Sequence, residues 1–183
     1  NNIEIIGTMD VDGTLNIIEV GRIDTGTIAV SGDVVTTANP ANLGGDGTIL
    51  FDGAGDQTLS ASGGTGKIPG FSINKSGGTL TVQDDISVYS DITYTAGKVD
   101  FGTSNLILKD EMTVSGGSLD VGNVELDFAQ GWESLTRTGT MDIDGDLATT
   151  EIGNIQTGDI NLSGDLIAND LGYGGTGSII CDG

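Results

Sequence analysis

The sequence is dominated by a short motif that returns about every 20 residues. Each copy begins with glycine and continues with a mostly polar residue, an apolar residue, a variable residue and a second apolar residue. The intervals between copies are 19, 21, 31, 19, 20, 22, 19 and 19 residues. A period that survives so many intervals is typical of a repeat architecture. The copies begin at Gly7, Gly26, Gly47, Gly78, Gly97, Gly117, Gly139, Gly158 and Gly177.

Alternation of apolar and polar positions predicts a half-buried β-strand in each copy. Two further short apolar segments follow within a period, for example residues 106–108 and 112–114. We therefore predict an all-β fold, a single parallel β-solenoid (β-helix) with coils of about 20 residues and three short strands per coil. The alternative is an antiparallel sandwich of hairpins, which the Asp-Gly pairs at 12–13, 52–53 and 144–145 would suit.

The motif also predicts the core. Residues two positions after each glycine are expected to point inward and to stack as a single column, because successive coils of a solenoid lie in register. Cys181, at the second apolar position of the last copy, is expected to be a small core residue and not a nucleophile. The expected column consists of Met9, Ile28, Ile49, Leu80, Val99, Leu119, Met141, Ile160 and Ile179.

A longer repeat is superimposed on the short one. Residues 7–36 and 139–168 are identical at 16 of 30 positions, at an offset of 132 residues. We predict one β-solenoid domain over residues 1–183 with about 1.4 copies of this supra-repeat. The first copy covers 7–138 and the start of the second covers 139–183. The chain is expected to be either a fragment of a longer tandem array or a subunit whose ends stack on other copies.

Charge and composition exclude several classes of function. The 183 residues include 27 Asp and Glu, 6 Lys and Arg and no His, for a formal net charge of −21. Such a chain should be repelled by nucleic acid and by anionic membranes. It lacks the commonest general base and zinc ligand, and its single cysteine allows no internal disulfide. We predict that it is not an enzyme and holds no cofactor, with calcium the one exception considered.

The calcium hypothesis concerns an outward acidic column. Stacking the motif in register would align Asp100, Asp120, Asp142 and Asn161, with Asp144 beside them. Like charges about 4.8 Å apart repel one another, and a bound divalent cation relieves that repulsion. Asp100, Asp120, Asp142 and Asp144 are therefore candidate calcium ligands. The alternative is a solvated acidic face that keeps the rod soluble and opposes lateral aggregation.

Two other surfaces are candidates for binding. Phe128, Trp132 and Arg137 lie within a long interval, where loops on solenoids often carry ligand contacts. They could contact a sugar ring or a neighbouring subunit, or the aromatic residues could simply cover the core. The Thr or Ser after most motif glycines would form an outward hydroxyl column suited to ice binding, but the next outward position is irregular.

A resemblance to bacterial surface proteins is carried by FDGAGDQTLS at 51–60, FSINKSGGTLTV at 71–82 and ITYTAGKVDFG at 92–102. The stretch INKSGGTLTV is similar to the autotransporter-associated β-strand repeat. The wider pattern resembles the β-solenoid passengers of filamentous-haemagglutinin-like adhesins. This resemblance implies an extracellular or cell-surface location and display as a stalk or fibre.

The expected function is accordingly that of a structural repeat module in an extracellular surface fibre, adhesin or sheath. Its expected partner is itself, as an axial homopolymer or a covalent tandem array, with a surface glycan as a second candidate. The alternative function is a binding module on a solenoid scaffold, for a glycan, a calcium-bridged partner or ice.

Overall fold

The computed structural model describes residues 2–18, 22–37, 45–110, 112–117, 119–127, 134–151, 154–168 and 175–182. These residues form an all-β fold in which 72% of positions lie in strands. Parallel sheets stack as a β-solenoid of about eight turns with coils of about 20 residues, which confirms the predicted fold class. The described residues include no helix that could span a membrane.

The strands pair in parallel between successive coils throughout the described residues. In chain order they are β1 (Asn2–Val11), β2 (Leu15–Ile17), β3 (Arg22–Val30), β4 (Val34–Thr37), β5 (Thr48–Phe51), β6 (Gln57–Ser62), β7 (Gly66–Ile68), β8 (Gly70–Val82), β9 (Ile86–Val88), β10 (Ile92–Asp100), β11 (Asn105–Leu108), β12 (Met112–Gly116), β13 (Leu119–Val121), β14 (Asn123–Asp127), β15 (Ser134–Ile143), β16 (Leu147–Glu151), β17 (Asn154–Leu162), β18 (Leu166–Ala168) and β19 (Ser178–Cys181).

Each coil has three faces, and a single long strand often covers two of them. Such a strand bends at a glycine with positive φ, as β17 does at Gly158, where φ is 90°. A Cβ atom on Gly158 would lie 2.3 Å from the carbonyl oxygen of Arg137 in the preceding coil. The glycine period therefore has two physical causes, a left-handed backbone and a close approach between coils. The long strands that bend in this way are β1, β3, β8, β10, β15 and β17.

The apolar positions of the motif form the core, as predicted. Ile28 pairs with Ile49 and Val30 pairs with Phe51, and all four side chains are buried. The same inward orientation holds in the later coils, where Met141 is fully buried. Alternation within the motif therefore correctly predicts which side chains point inward.

The prediction of one continuous column is wrong. Ile49 pairs with Phe71, whereas Leu80 pairs with Gln57. Thr48, in the motif copy that begins at Gly47, pairs with Gly70 in the next coil. The next copy of the motif begins at Gly78, after the first segment of β8. The 31-residue interval therefore contains one coil plus one additional face, and it moves the motif to the neighbouring face.

The shift places the two copies of the 132-residue repeat on different faces. The column that begins with Met9 and passes through Ile49 and Phe71 continues through Ile92 and Val114 and reaches Arg137. Met141, the counterpart of Met9 in the second copy, belongs to another column and pairs with Leu119. The second copy is therefore turned by one face of the solenoid relative to the first.

Candidate functional site

The structure brings the predicted acidic residues together on one face. Asp120 pairs directly with Asp142, and Asp142 pairs with Asn161, whose Nδ2 donates to Oδ1 of Asp142 at 2.6 Å. Burial raises the pKa of Asp120, and the neighbouring carboxylates of Asp144, Asp142 and Asp100 raise it further. The register of the sheet places Asp120, Asp142 and Asn161 side by side, and Asp144 lies in the turn that follows β15.

Nothing in the arrangement of these carboxylates identifies a metal ion. Within the described ranges, no group of three or more His, Cys, Asp or Glu side chains is placed to hold one. Calcium binding by Asp100, Asp120, Asp142 and Asp144 therefore stays a prediction. The solvated acidic face remains the competing interpretation of the same residues.

Many other aspartates have a structural role at the turns. Their side-chain oxygens accept hydrogen bonds from backbone N–H groups of a neighbouring coil, as Asp33 does from Thr58 at 2.7 Å and Asp91 from Thr113 at 2.7 Å. At one corner Asp146 donates its N–H to Asn123 and accepts from the N–H of Asp165, each at 2.9 Å. These carboxylates satisfy backbone donors that turns would otherwise leave unpaired.

Arg137 does not lie where a ligand contact was expected. Its side chain is buried, with 1% of the residue exposed, because it occupies an inward position of the column that contains Val114. Nη1 donates to the carbonyl of Val114 at 2.8 Å and Nη2 to that of Gly117 at 2.6 Å, and both also contact carbonyls of their own strand. Burial lowers the pKa of Arg137, whereas Asp142 raises it. The guanidinium holds two coils together and is not available to a sugar.

Lys75 is a second buried cation, which no motif in the sequence predicts. Its Nζ donates to the carbonyls of Gly53 and Gly55 at 2.8 and 2.9 Å and to Oε1 of Gln57 at 2.6 Å. Burial lowers the pKa of Lys75, and the nearby Asp56 and Asp52 oppose that shift. Lys75 lies just before the Gly77-Gly78 bend, but the carbonyls that it binds belong to the preceding coil, so no local pattern in the sequence identifies this site.

The predicted aromatic contacts cannot be placed in the same way. Phe128 and Trp132 lie outside the described residues. The hypothesis that they contact a sugar or a neighbouring subunit therefore stays a prediction.

A shallow cleft lies on the corner that the acidic face shares with the glycine bends. It has a volume of about 410 Å³ and is lined by Thr79, Tyr94, Lys98, Asp100 and Asp120, among others. The hydroxyl of Tyr94 donates to the carbonyl of Gly97 at 2.7 Å. The cleft combines one aromatic ring, one cation, hydroxyl groups and carboxylates, which are the groups that hydrogen-bond and stack on sugars.

The two end coils differ from the rest of the described rod in exposing large apolar side chains. Among the described residues, the exposed large apolar side chains all lie within 3–18 or 166–180. Several occupy inward positions: Met9 is 42% exposed although its partner Ile28 is 2% exposed, and Leu166 is 39% exposed although Leu147 is fully buried. Among the described residues of these coils, such inward side chains are exposed because no strand of this chain covers their outer edge.

Cys181 follows the same rule. It pairs with the fully buried Leu162 and so continues an inward column, as the motif predicts. The thiol is nevertheless exposed, because β19 is the last strand of its sheet. The prediction that Cys181 is a core residue is correct for its orientation and wrong for its burial.

Comparisons with known proteins identify no similar protein. No protein-family model, no curated protein and no solved structure matches the chain.

Proposed function

We propose that the chain is a structural β-solenoid module of an extracellular surface fibre, adhesin or sheath, and that it associates end to end through its terminal coils. In this function the stacked coils themselves provide the mechanical role. Backbone ladders and the inward apolar columns resist bending and unfolding, and no catalytic step is involved.

The observation that carries the proposal is the confinement of exposed large apolar side chains to the two end coils. A contiguous exposed apolar surface usually marks an interaction site. Met9 and Leu166 occupy positions that are buried wherever another coil covers them. The natural cover for each end is therefore another coil, supplied by a second copy or by a further repeat of a longer chain.

Charge supports the linear form of such an assembly. With a formal charge of −21, two rods approaching side by side repel each other, which opposes lateral sheets and amorphous aggregates. End contacts bring together mainly backbone edges and apolar side chains, so they are less affected. The extracellular placement is supported by the resemblance of residues 51–102 to bacterial surface repeats.

The test is whether rods assemble through their ends. Sedimentation velocity and negative-stain microscopy over a concentration series, in salt that screens the net charge, should show linear polymers one coil wide. A variant carrying Met9→Glu and Leu166→Glu should remain monomeric with an unchanged circular dichroism spectrum, because it places charges on both apolar ends. Thr95→Glu, which adds a charge to an exposed strand position in the middle of the rod, is the matched control and should still polymerise.

Two results would contradict the proposal. A wild-type protein that stays monomeric at every concentration in screening salt has no end-to-end association. Lateral bundles that persist in the end variant would show that the sides of the rod, and not its ends, carry the contact.

A glycan-binding module is the second candidate, and the cleft beside Lys98 is the observation that favours it. Polysaccharide fragments added to labelled protein should shift the NMR signals of Tyr94 and Lys98 if sugars bind there. The Tyr94→Ala variant should lose those shifts, since a sugar would lose the aromatic surface on which it stacks. Absence of shifts across a panel of acidic and neutral glycans would remove this candidate.

A further inference from the structure

We infer that a second copy of this chain places its first coil on the last coil of its neighbour in one specific register, with Met9 opposite Ile179 and Val11 opposite Cys181. The inference rests on the proposed end-to-end association and adds its geometry. Three observations within the single chain lead to this register.

The first observation is that two strands of nearly identical sequence, β1 and β15, differ in whether a strand of a preceding coil pairs with them. Residues 7–12 read GTMDVD and residues 139–144 read GTMDID. In the second copy, Met141 pairs with Leu119 and Ile143 pairs with Val121, and Met141 is fully buried. In the first copy, β1 pairs with β3 on one edge and has no partner on the other among the residues that the structure describes, and Met9 is 42% exposed. The uncovered edge of β1 is thus of a kind that accepts a solenoid strand.

The second observation is that β19 resembles the strand that provides this cover. The strand that covers Met141 is β13, which lies in the sequence GSLDV at 117–121, and β19 lies in the sequence GSIIC at 177–181. Both have serine after glycine and apolar residues at the inward positions. Ile179 and Cys181 pair with Ile160 and Leu162 on one edge, and the sheet ends at β19 on the other. Each end of the rod therefore has the edge that the other requires.

The third observation concerns charge and space at the junction. Within the chain Asp120 faces Asp142, whereas at the junction Ile180 would face Asp10, so this opposition of carboxylates within the strands is absent. One position further, Asp12 and Asp182 would lie side by side. Gly7 has the left-handed φ of the other bend glycines, 84°, yet a Cβ atom there would meet nothing within 4 Å. At Gly139 the same atom would lie 2.1 Å from the carbonyl of Gly116 in the preceding coil. Gly7 leaves space for a partner's carbonyl in the same position.

This register turns each copy by one face relative to its neighbour. If the copies stacked without that turn, the strand of Leu15 would lie over β19, because β2 shares its face with the later motif strands through β4, β6 and β8. The turn instead places the Gly7 bend over the glycine bend before β19. Three copies would then complete one revolution of the rod.

Cysteine cross-linking distinguishes the two registers. Directly opposed residues on adjacent parallel strands have Cα atoms about 4.8 Å apart, which lies within the range of about 4.4–6.8 Å found for disulfides. Val11→Cys and Leu15→Cys are each made with Cys181 retained, and each is assembled under reducing conditions before mild oxidation. We expect a ladder of disulfide-linked oligomers for Val11→Cys and none for Leu15→Cys.

Two controls separate the register from incidental oxidation. Val11→Cys combined with Cys181→Ser should give no ladder, because each copy then has only one thiol. Thr95→Cys with Cys181 retained should also give none, since residue 95 lies on the exposed side of the rod. All variants are first shown by sedimentation to assemble as the wild type does.

The outcomes distinguish a wrong register from an absence of end-to-end association. Assembly of the wild type with a ladder only for Leu15→Cys would overturn the proposed register and leave end-to-end association intact. Assembly without a ladder from either variant would also overturn the register. A wild-type protein that does not assemble at all would overturn both ideas.

Discussion

The ring of Phe71 meets the ring of Phe51 edge-on, with the centroids 6.4 Å apart and the ring planes at 83°. Phe71 pairs with Ile49, so the two rings lie diagonally across neighbouring coils. This contact marks the coil at which the glycine-led motif moves to the next face. Both rings are buried, so they fill the core at this level of the rod.

Replacing Phe71 by alanine should lower the free energy of unfolding by about 3–5 kcal/mol, because a buried ring is replaced by a cavity. Phe71→Leu retains most of the volume and should cost clearly less. Urea denaturation followed by circular dichroism measures both values. Equal losses for the two variants would contradict this expectation, because they would show that the lost ring contact, which both variants remove, accounts for the effect and that the cavity does not.

The fold was largely predictable because its two strongest constraints act on short segments and are visible in the sequence of each segment. A half-buried strand needs alternation, and a bend with left-handed φ beneath a neighbouring coil needs glycine. The face shift was not predictable from spacing, since an interval of 31 residues equally suits a longer loop. Only the pairing of Ile49 with Phe71 distinguishes the two.

The two buried cations show a different limit. Lys75 and Arg137 are rare positive residues in an acidic chain, and residue type alone predicts that they are exposed. They are buried because bends at the glycine corners direct backbone carbonyls toward one place, and those acceptors need donors. That requirement arises from coil stacking and has no local signature in the sequence.

The bend glycines give a prediction about local strain. Gly116 has φ of 111°, and a Cβ atom there would lie 1.7 Å from the carbonyl oxygen of Tyr94. Gly116→Ala should therefore destabilise the protein by at least about 1–3 kcal/mol from backbone strain alone. Gly55→Ala is the matched control, because its Cβ atom meets nothing within 4 Å, and it should leave the melting temperature almost unchanged. Similar losses in both variants would contradict the role assigned to the bend.

Removal of the Lys75 ammonium should be destabilising, although burial lowers the pKa of this group and its charge is costly in the folded state. Lys75→Met leaves the carbonyls of Gly53 and Gly55 without their donor, which costs on the order of 3 kcal/mol. Lys98→Met, at an exposed strand position, controls for the loss of one positive charge. An increase in stability for Lys75→Met would mean that the desolvation of the charge outweighs its hydrogen bonds.

Calcium is tested by comparing salts at equal ionic strength. We expect calcium chloride and sodium chloride to raise the melting temperature equally, because screening alone weakens the repulsion among Asp120, Asp142 and their neighbours. A larger rise with calcium that disappears in Asp142→Asn would instead identify a bound ion that stabilises the folded state. The same comparison in Asp12→Asn, an exposed residue of the first coil, controls for net charge.

The acidic cluster also predicts a specific pH dependence. Because burial and then the carboxylates of Asp144, Asp142 and Asp100 raise the pKa of Asp120, the folded protein binds that proton more tightly than the unfolded chain does. The stabilisation from protonating Asp120 is fully present below its unfolded pKa and is lost as pH rises through the higher folded pKa. At neutral pH the charged group therefore opposes folding.

Asp120→Asn removes this opposition and should be more stable than the wild type at pH 7. The difference in the free energy of unfolding should shrink as pH falls through the folded pKa of Asp120, since the wild-type carboxyl becomes neutral as well. Urea titrations at several pH values measure this difference directly. Asp12→Asn removes the same charge from the first coil, away from the cluster, and its difference from the wild type should vary less over that range. A difference for Asp120→Asn that is constant with pH would show that neither burial nor the neighbouring carboxylates raise the pKa of Asp120 in the folded protein.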